Sequence, residues 1–167
     1  MNMNRIIIKK PGVARFMGRE FSCSIGRAGV SSCKQEGDKT TPVGLWRLEM
    51  ALYREDRIKK PVTDIPLLPI RYGMRWCDDI NSDFYNQLVY SGDDATGETM
   101  FRADHCYDCC VVLSYNRSPV VKGIGSAIFM HVRKYVGYPT LGCVAFDIDD
   151  LLWILKYSST GTYMQVI

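Results

Sequence analysis

The chain has 167 residues, 47% of them hydrophobic and 23% charged, with a formal net charge of +3. That is enough apolar material for one sizeable core. A basic excess this mild, with no cationic run beyond Arg57 and Lys59-Lys60, excludes nucleic-acid binding through clustered cations. No stretch approaches the ~20 apolar residues of a membrane-spanning helix, and the opening MNMNRIIIKKPG lacks the apolar core of a signal peptide. Seven irregularly spaced cysteines argue against a disulfide framework and for a reducing compartment. The expectation is a single domain over residues 1–167, cytoplasmic by sequence.

In chain order, residues 5–9 form a β-branched run stopped by Pro11-Gly12. Residues 13–25 read as a hairpin turning at Met17-Gly18-Arg19-Glu20, with Phe21, Cys23 and Ile25 on one face. Thr41-Pro42 leads into a strand over residues 44–48. Residues 54–110 are punctuated by Pro61, Pro66, Pro69, Gly73, Gly92 and Gly97, which predicts short elements and long loops. Buried strands follow at 109–113, at 126–132 and at 142–146. Asp147 reads as an N-cap with Asp150 at N3, followed by an apolar helical face of Leu151, Leu152 and Leu155. Gly161 closes that region and residues 163–167 make a last strand. Many strands, one clear helix and no alternating β-α units predict a mainly β fold, sandwich- or barrel-like, rather than a doubly wound sheet.

Chemistry concentrates in IFMHVRKYVGYPTLGCVAFDIDDLLWIL. His131 ends one strand and Cys143 opens the next, and the connector between them is broken by Gly137, Pro139 and Gly142. Alternation puts His131 on a face with Ala127 and Phe129, and Cys143 with Ala145, against uniformly large apolar residues opposite. A thiol of pKa near 8.5 is mostly protonated at neutral pH, and an adjacent imidazole that takes its proton creates a reactive ion pair. Gly142 permits close approach of the backbone, amides around Gly142 and Cys143 suit an oxyanion, and Arg133 and Lys134 add positive charge.

At these residues the sequence resembles the YkuD-type L,D-transpeptidase family. The family's strand histidine and its Ser/Thr-x-Gly-Cys-hydrophobic word correspond to His131, Thr140, Gly142, Cys143 and Val144. An earlier family word, Thr-Pro-x-Gly-aliphatic-aromatic after an acidic turn, corresponds to Asp38, Thr41, Pro42, Gly44, Leu45 and Trp46. The resemblance runs from about residue 13 to residue 167. Two departures stand out: Leu141 replaces the usual histidine before Gly-Cys, and Ala145 replaces the usual arginine two residues after the cysteine. The pattern is that of a divergent branch.

The resemblance implies an L,D-transpeptidase catalytic domain that acts on peptidoglycan stem peptides without a cofactor. Cys143 would form a thioester, His131 would serve as base, and an amine of a second stem would resolve the intermediate. The link need not be the 3,3 type, and work on mature peptidoglycan would be periplasmic. Substrate contacts are expected from Arg133, from Tyr53, Arg54 and Arg57 as a carboxylate clamp, and from Trp76 and Asn86, with Asp78, Asp79 and Tyr85, as cleft wall. The alternatives are an L,D-carboxypeptidase or another cysteine amidase, and a zinc-binding module on His105, Cys106, Cys109 and Cys110.

Overall fold

In the computed structural model, residues 4–90 and 96–167 are described. The strands are β1 (Arg5–Lys9), β2 (Val13–Phe16), β3 (Arg19–Ser22), β4 (Val30–Ser31), β5 (Thr41–Pro42), β6 (Gly44–Tyr53), β7 (Leu67–Pro69), β8 (Arg75–Trp76), β9 (Leu88–Val89), β10 (Glu98–Thr99), β11 (Cys109–Leu113), β12 (Phe129–Val132), β13 (Val144–Phe146) and β14 (Tyr163–Val166). The helix is α1 (Ile148–Lys156). Among the described residues no helix is long and apolar enough to cross a membrane.

The main sheet runs β13-β12-β11-β6-β14-β1-β2-β3, with β7 joined to β6. Its two edges meet. Just past β3, Ser24 exchanges both main-chain bonds with Ala145 of β13, at 2.7 and 2.9 Å. The sheet is thereby nearly closed into a barrel, which removes its exposed edges. Among the described residues the fold is mainly β with one helix, as the sequence predicts.

Strand alternation then sorts the side chains into two apolar clusters. Cys109, Val111, Leu113, Met130, Val132, Val144 and Phe146 face the barrel interior with Ile6, Ile8 and Met164. Cys110, Val112 and Phe129 face the other way, beneath a small sheet ordered β10-β8-β9 from the middle segment, and pack with Trp76, Met100 and Tyr107. Helix α1 adds Leu151, Ile154 and Leu155 to the interior cluster, where each buried side chain contributes about 1.5–3 kcal/mol. Ile154 takes the place expected of Leu152, which is only partly buried.

Several expected boundaries move. The strand expected over residues 44–48 continues to Tyr53, because β11 pairs along it on one side and β7 on the other. The hairpin turn narrows to Met17 and Gly18, both with positive φ (48° and 79°), as a two-residue hairpin loop requires. The strand expected from residue 126 starts at Phe129, since Gly125 (φ 113°) and Ala127 (φ 51°) leave the extended region. The one expected from residue 142 starts at Val144, because Gly142 has φ 144°. Asp147 occupies the N-cap without capping the helix amides; its carboxylate holds Arg133 instead, with Nε at 2.6 Å and Nη2 also bonded.

Candidate active site

Strands β12 and β13 pair in parallel, with Met130 opposite Val144 and His131 opposite Ala145. The connector between them therefore crosses over and delivers Cys143 beside Phe129. His131 and Cys143 thus share a face as diagonal neighbours, a separation that long side chains can span. Both line a cavity of about 410 Å³ between the barrel wall and the middle segment.

The turn that presents Cys143 is pinned by two threonines. Thr140 Oγ1 donates to the Cys143 carbonyl at 2.6 Å and accepts the Gly142 amide at 3.1 Å. Thr41 Oγ1 donates to the same carbonyl at 3.3 Å and accepts the Gly26 amide at 2.8 Å. The early Thr-Pro word and the late Gly-Cys word, a hundred residues apart, meet at one carbonyl oxygen. Gly142 is needed sterically as well as for its φ: a Cβ there would lie 2.9 Å from the Thr40 carbonyl oxygen. With the Gly142 amide committed to Thr140, the pair of oxyanion donors expected from the sequence reduces to the Cys143 amide.

No hydrogen bond joins the thiol to the imidazole. Cys143 Sγ–H donates to the Ala127 carbonyl at 3.2 Å, and the Phe129 amide donates to the sulfur at 3.4 Å. Burial, and secondarily the Glu98 carboxylate, push the thiol up to about 12, against the Phe129 amide and the Lys34 ammonium. His131 Nδ1 donates to the Val132 carbonyl at 2.8 Å, which assigns the proton to Nδ1 and leaves Nε2 basic. Burial holds the imidazole down at about 4, although the Val132 carbonyl opposes the shift. The expected thiolate–imidazolium contact is not formed by these hydrogen bonds, and desolvation disfavours the charged form of both groups.

The surroundings contain groups that sequence reasoning missed. Lys34 is buried, bonds Asp38 Oδ1 at 2.7 Å, and its positive charge acts to lower the thiol. Asp38 also accepts the Gln35 and Thr40 amides and the Thr40 hydroxyl; these bonds and Lys34 outweigh its desolvation and hold its carboxyl well below the usual range. Tyr107 sets its ring edge-to-face against His131, 5.4 Å between centroids, and donates its hydroxyl to Glu98 Oε1 at 2.6 Å. The acidic turn of the Thr-Pro word gave a signal for Asp38. Lys34, Glu98 and Tyr107 have none, because their places depend on how two irregular segments, one before Thr41 and one within 54–110, fold back over the cavity.

The expected substrate contacts divide. Arg133 lines the cavity, yet its guanidinium is committed to Asp147 and, at 3.1 Å, to Ser22 Oγ. Tyr53, Arg54, Arg57, Trp76 and Asn86 are not on the cavity wall. Tyr53 is buried at the end of β6. Arg54 pairs with Asp56 at 2.6 and 2.7 Å and bonds the Arg102 carbonyl at 2.7 Å. Arg57 bonds the carbonyls of Ala103 and Asp104 at 2.9 and 2.7 Å, and Asp108 at 3.0 Å. The clamp expected for a substrate carboxylate instead buckles residues 102–108, the segment that carries Tyr107. Trp76 Nε1 donates to Asn86 Oδ1 inside the protein, at 2.8 Å. Of the other expected wall residues, Asp78 lines the cavity, while Asp79 and Tyr85 do not.

The zinc alternative finds no geometric support. Cys109 and Cys110 are buried on opposite faces of β11, and His105 Nε2 donates to the Arg133 carbonyl at 3.0 Å. Among the described residues no group of three or more His, Cys, Asp or Glu is placed to hold a metal ion.

Comparison with known proteins gives one family. The YkuD model, described as the L,D-transpeptidase catalytic domain, matches residues 5–167. No curated protein matches. Among solved structures, L,D-transpeptidase 1 of Mycobacterium tuberculosis is similar at 12% identity and a TM-score of 0.43, over 96% of this chain and 59% of that one. This chain thus spans about three-fifths of that protein's chain.

Proposed function

This chain belongs to the YkuD family of L,D-transpeptidase catalytic domains, and we propose that it is a cysteine acyltransferase that cross-links peptidoglycan stem peptides through a thioester on Cys143. The observation that carries the reading is the pairing of Cys143 and His131 on one face of β12–β13, at a cavity wall, within the matched domain.

The Cys143 S–H turns from the Ala127 carbonyl toward His131 Nε2 and gives up its proton as the sulfur attacks the acyl carbon. Because neither group is charged at rest, proton transfer accompanies attack rather than preceding it. The C–S bond forms, the Cys143 amide holds the resulting oxyanion, and the Lys34 ammonium favours the negative charge. Collapse breaks the C–N bond, with the leaving amine taking the proton from His131. A second stem's amine then attacks the thioester, its proton passes to His131 and on to the departing sulfur, and the new C–N bond completes transfer.

An anionic stem peptide suits the mouth of the cavity. Arg27, Lys39 and Lys134 are exposed there and, among the described residues, form no ion pair. They come from the segments that pack around the Cys143 turn: Arg27 N–H donates to the Thr140 carbonyl at 2.9 Å, and the Lys39 carbonyl accepts the Ala28 amide at 3.1 Å.

The test is incubation of purified muropeptides with wild type and with Cys143→Ala, read by mass spectrometry. Cross-linked dimers from wild type, and none from the folded variant, are expected. Stem shortening without dimers would make the protein an L,D-carboxypeptidase. Dimers from the variant would remove Cys143 from the mechanism.

A further inference from the structure

Ala127 has φ 51°, a left-handed conformation that an alanine rarely adopts. What holds it there is Asn86, whose Oδ1 accepts the Ala127 amide at 3.1 Å. Asn86 is buried and its side chain is saturated. Oδ1 also accepts Trp76 Nε1 at 2.8 Å, and Nδ2 donates to the carbonyls of Tyr115 and Asn116 at 3.3 and 2.7 Å. Its main-chain carbonyl accepts Arg117 Nη1, and the Arg117 guanidinium lies 4.9 Å over the Trp76 ring. The asparagine is thus fixed on every side before it reaches Ala127.

The consequence appears at the sulfur. With Ala127 turned this way, its carbonyl accepts the Cys143 S–H at 3.2 Å, and two residues later the Phe129 amide points at the same sulfur from 3.4 Å. One strand entry therefore grips Cys143 with an acceptor, which favours the thiol, and a donor, which favours the thiolate. The charged and titratable groups around the sulfur are Glu98, Lys34, Tyr107, Cys110 and His131. None of them bonds Ala127.

We propose that Asn86 is a positioning residue for Cys143: by holding the Ala127 main chain in its left-handed conformation it aims the carbonyl that keeps the resting thiol protonated and in place for attack. The proposal rests on the reading of Cys143 as nucleophile. Trp76 serves it by fixing the Asn86 amide, so two residues expected to touch substrate act one step behind the nucleophile.

The proposal separates two quantities that a simple loss of stability moves together. In Asn86→Ala the Ala127 main chain relaxes to negative φ and its carbonyl swings away. The thiol loses its acceptor and deprotonates more readily, while acyl transfer slows because the sulfur is no longer held. The experiment uses the full chain. Iodoacetamide alkylation of Cys143, in which thiolate displaces iodide and the proton goes to buffer, is followed from pH 6 to 10 by peptide mapping. The buried Cys109 and Cys110 report any general loosening. Acyl transfer is measured in parallel on muropeptides.

Expected for Asn86→Ala is Cys143 alkylation about tenfold faster at pH 7, a shift of about one pH unit in its profile, with Cys109 and Cys110 still unlabelled. In the same variant kcat falls by about tenfold or more and KM changes by less than about threefold. Ala127→Val gives an independent route should Asn86→Ala fail to fold. A β-branched residue disfavours φ 51° while every Asn86 bond except that to residue 127 stays, and the same opposed pair of changes is expected. Alkylation and kcat like wild type in a folded variant would overturn the proposal, as would labelling of all three cysteines together. Transfer persisting in Cys143→Ala would instead overturn the function proposed above, leaving the alkylation result to stand on its own.

Discussion

Acid should destabilise this protein through one residue in particular, His131. Its imidazole lies at about 4 in the folded protein against an ordinary 6.5, because burial disfavours the cation. Between those values the unfolded chain binds a proton that the folded chain refuses, so stability rises with pH there. The contribution is fully present above about 6.5 and lost as pH falls toward about 4. At 1.36 kcal/mol per pH unit the whole gap amounts to roughly 3 kcal/mol, a large part of a domain's usual 5–15 kcal/mol. Carboxylates confuse a single acid titration. Glu98, raised chiefly by its burial, contributes in the opposite direction, and Asp104, held at about 2 chiefly by Arg102, contributes only at lower pH. A comparison with His131→Gln cancels them, since glutamine is neutral throughout and can still donate toward the Val132 carbonyl. Urea unfolding at pH 7.5, 6.5, 5.5 and 4.5 should show wild type losing roughly 2–3 kcal/mol more than the variant over that range. Parallel curves for the two proteins would mean that His131 is not held neutral by burial; wild type gaining on the variant as pH falls would restore the ion pair that the sequence suggests.

Gly142→Ala should cost about 1–3 kcal/mol of stability and most of the transfer activity, because φ 144° and a Cβ 2.9 Å from the Thr40 carbonyl both oppose it; thermal melts and turnover measure the two effects. Replacing Arg27, Lys39 and Lys134 together by glutamine should raise KM for a stem peptide with a free carboxylate, and leave KM for its amidated form unchanged. His131→Ala should lower kcat on the order of a hundred- to ten-thousand-fold, whereas His105→Ala, which removes a bond to the Arg133 carbonyl, should lower it far less.

What the sequence disclosed followed from local pattern. Strand β11 matches its expected limits because five consecutive buried residues in a row admit little else. The opposed faces of β12 and β13 follow from alternation alone, and the structure keeps His131 and Cys143 on the cavity side. The parallel pairing was not legible, since nothing in the connector fixes its direction. The described residues of 54–110 form short elements, as expected, while the turn expected at Gly92 lies outside the described residues; arginines in this segment resemble a ligand clamp whether their acceptors are substrate oxygens or the chain's own carbonyls. Arg54 and Arg57 find the latter. The charge state of the thiol was equally hidden. It depends on desolvation and on Glu98, which does not announce itself beside the cysteine.

The two departures from the family pattern become physically intelligible at the closure of the barrel. Ala145 is 1% exposed, sits opposite His131 across the β12–β13 ladder, and gives its amide and carbonyl to Ser24. A methyl group there crowds neither the imidazole nor the cavity, whereas the arginine usual in the family would set a cation against His131, which keeps the imidazole neutral but opposes the imidazolium it would become on taking the thiol's proton. Leu141, 69% exposed, stands at the mouth and adds no titrating group beside the nucleophile. Positive charge has not left the site. The Lys34 charge bears on the sulfur from inside the cavity, and Arg27, Lys39 and Lys134 lie at the entrance. On the proposed function, the cations at the rim would meet the substrate while the histidine keeps an apolar neighbour, so that recognition of charge and activation of the thiol would fall to different residues. Ala145→Arg should therefore disfavour the imidazolium formed during proton transfer and slow transfer at pH 5.5 as at pH 7.5, even as it adds a contact for a substrate carboxylate. A variant with a higher kcat than wild type at pH 5.5 would show that the two tasks were never in conflict.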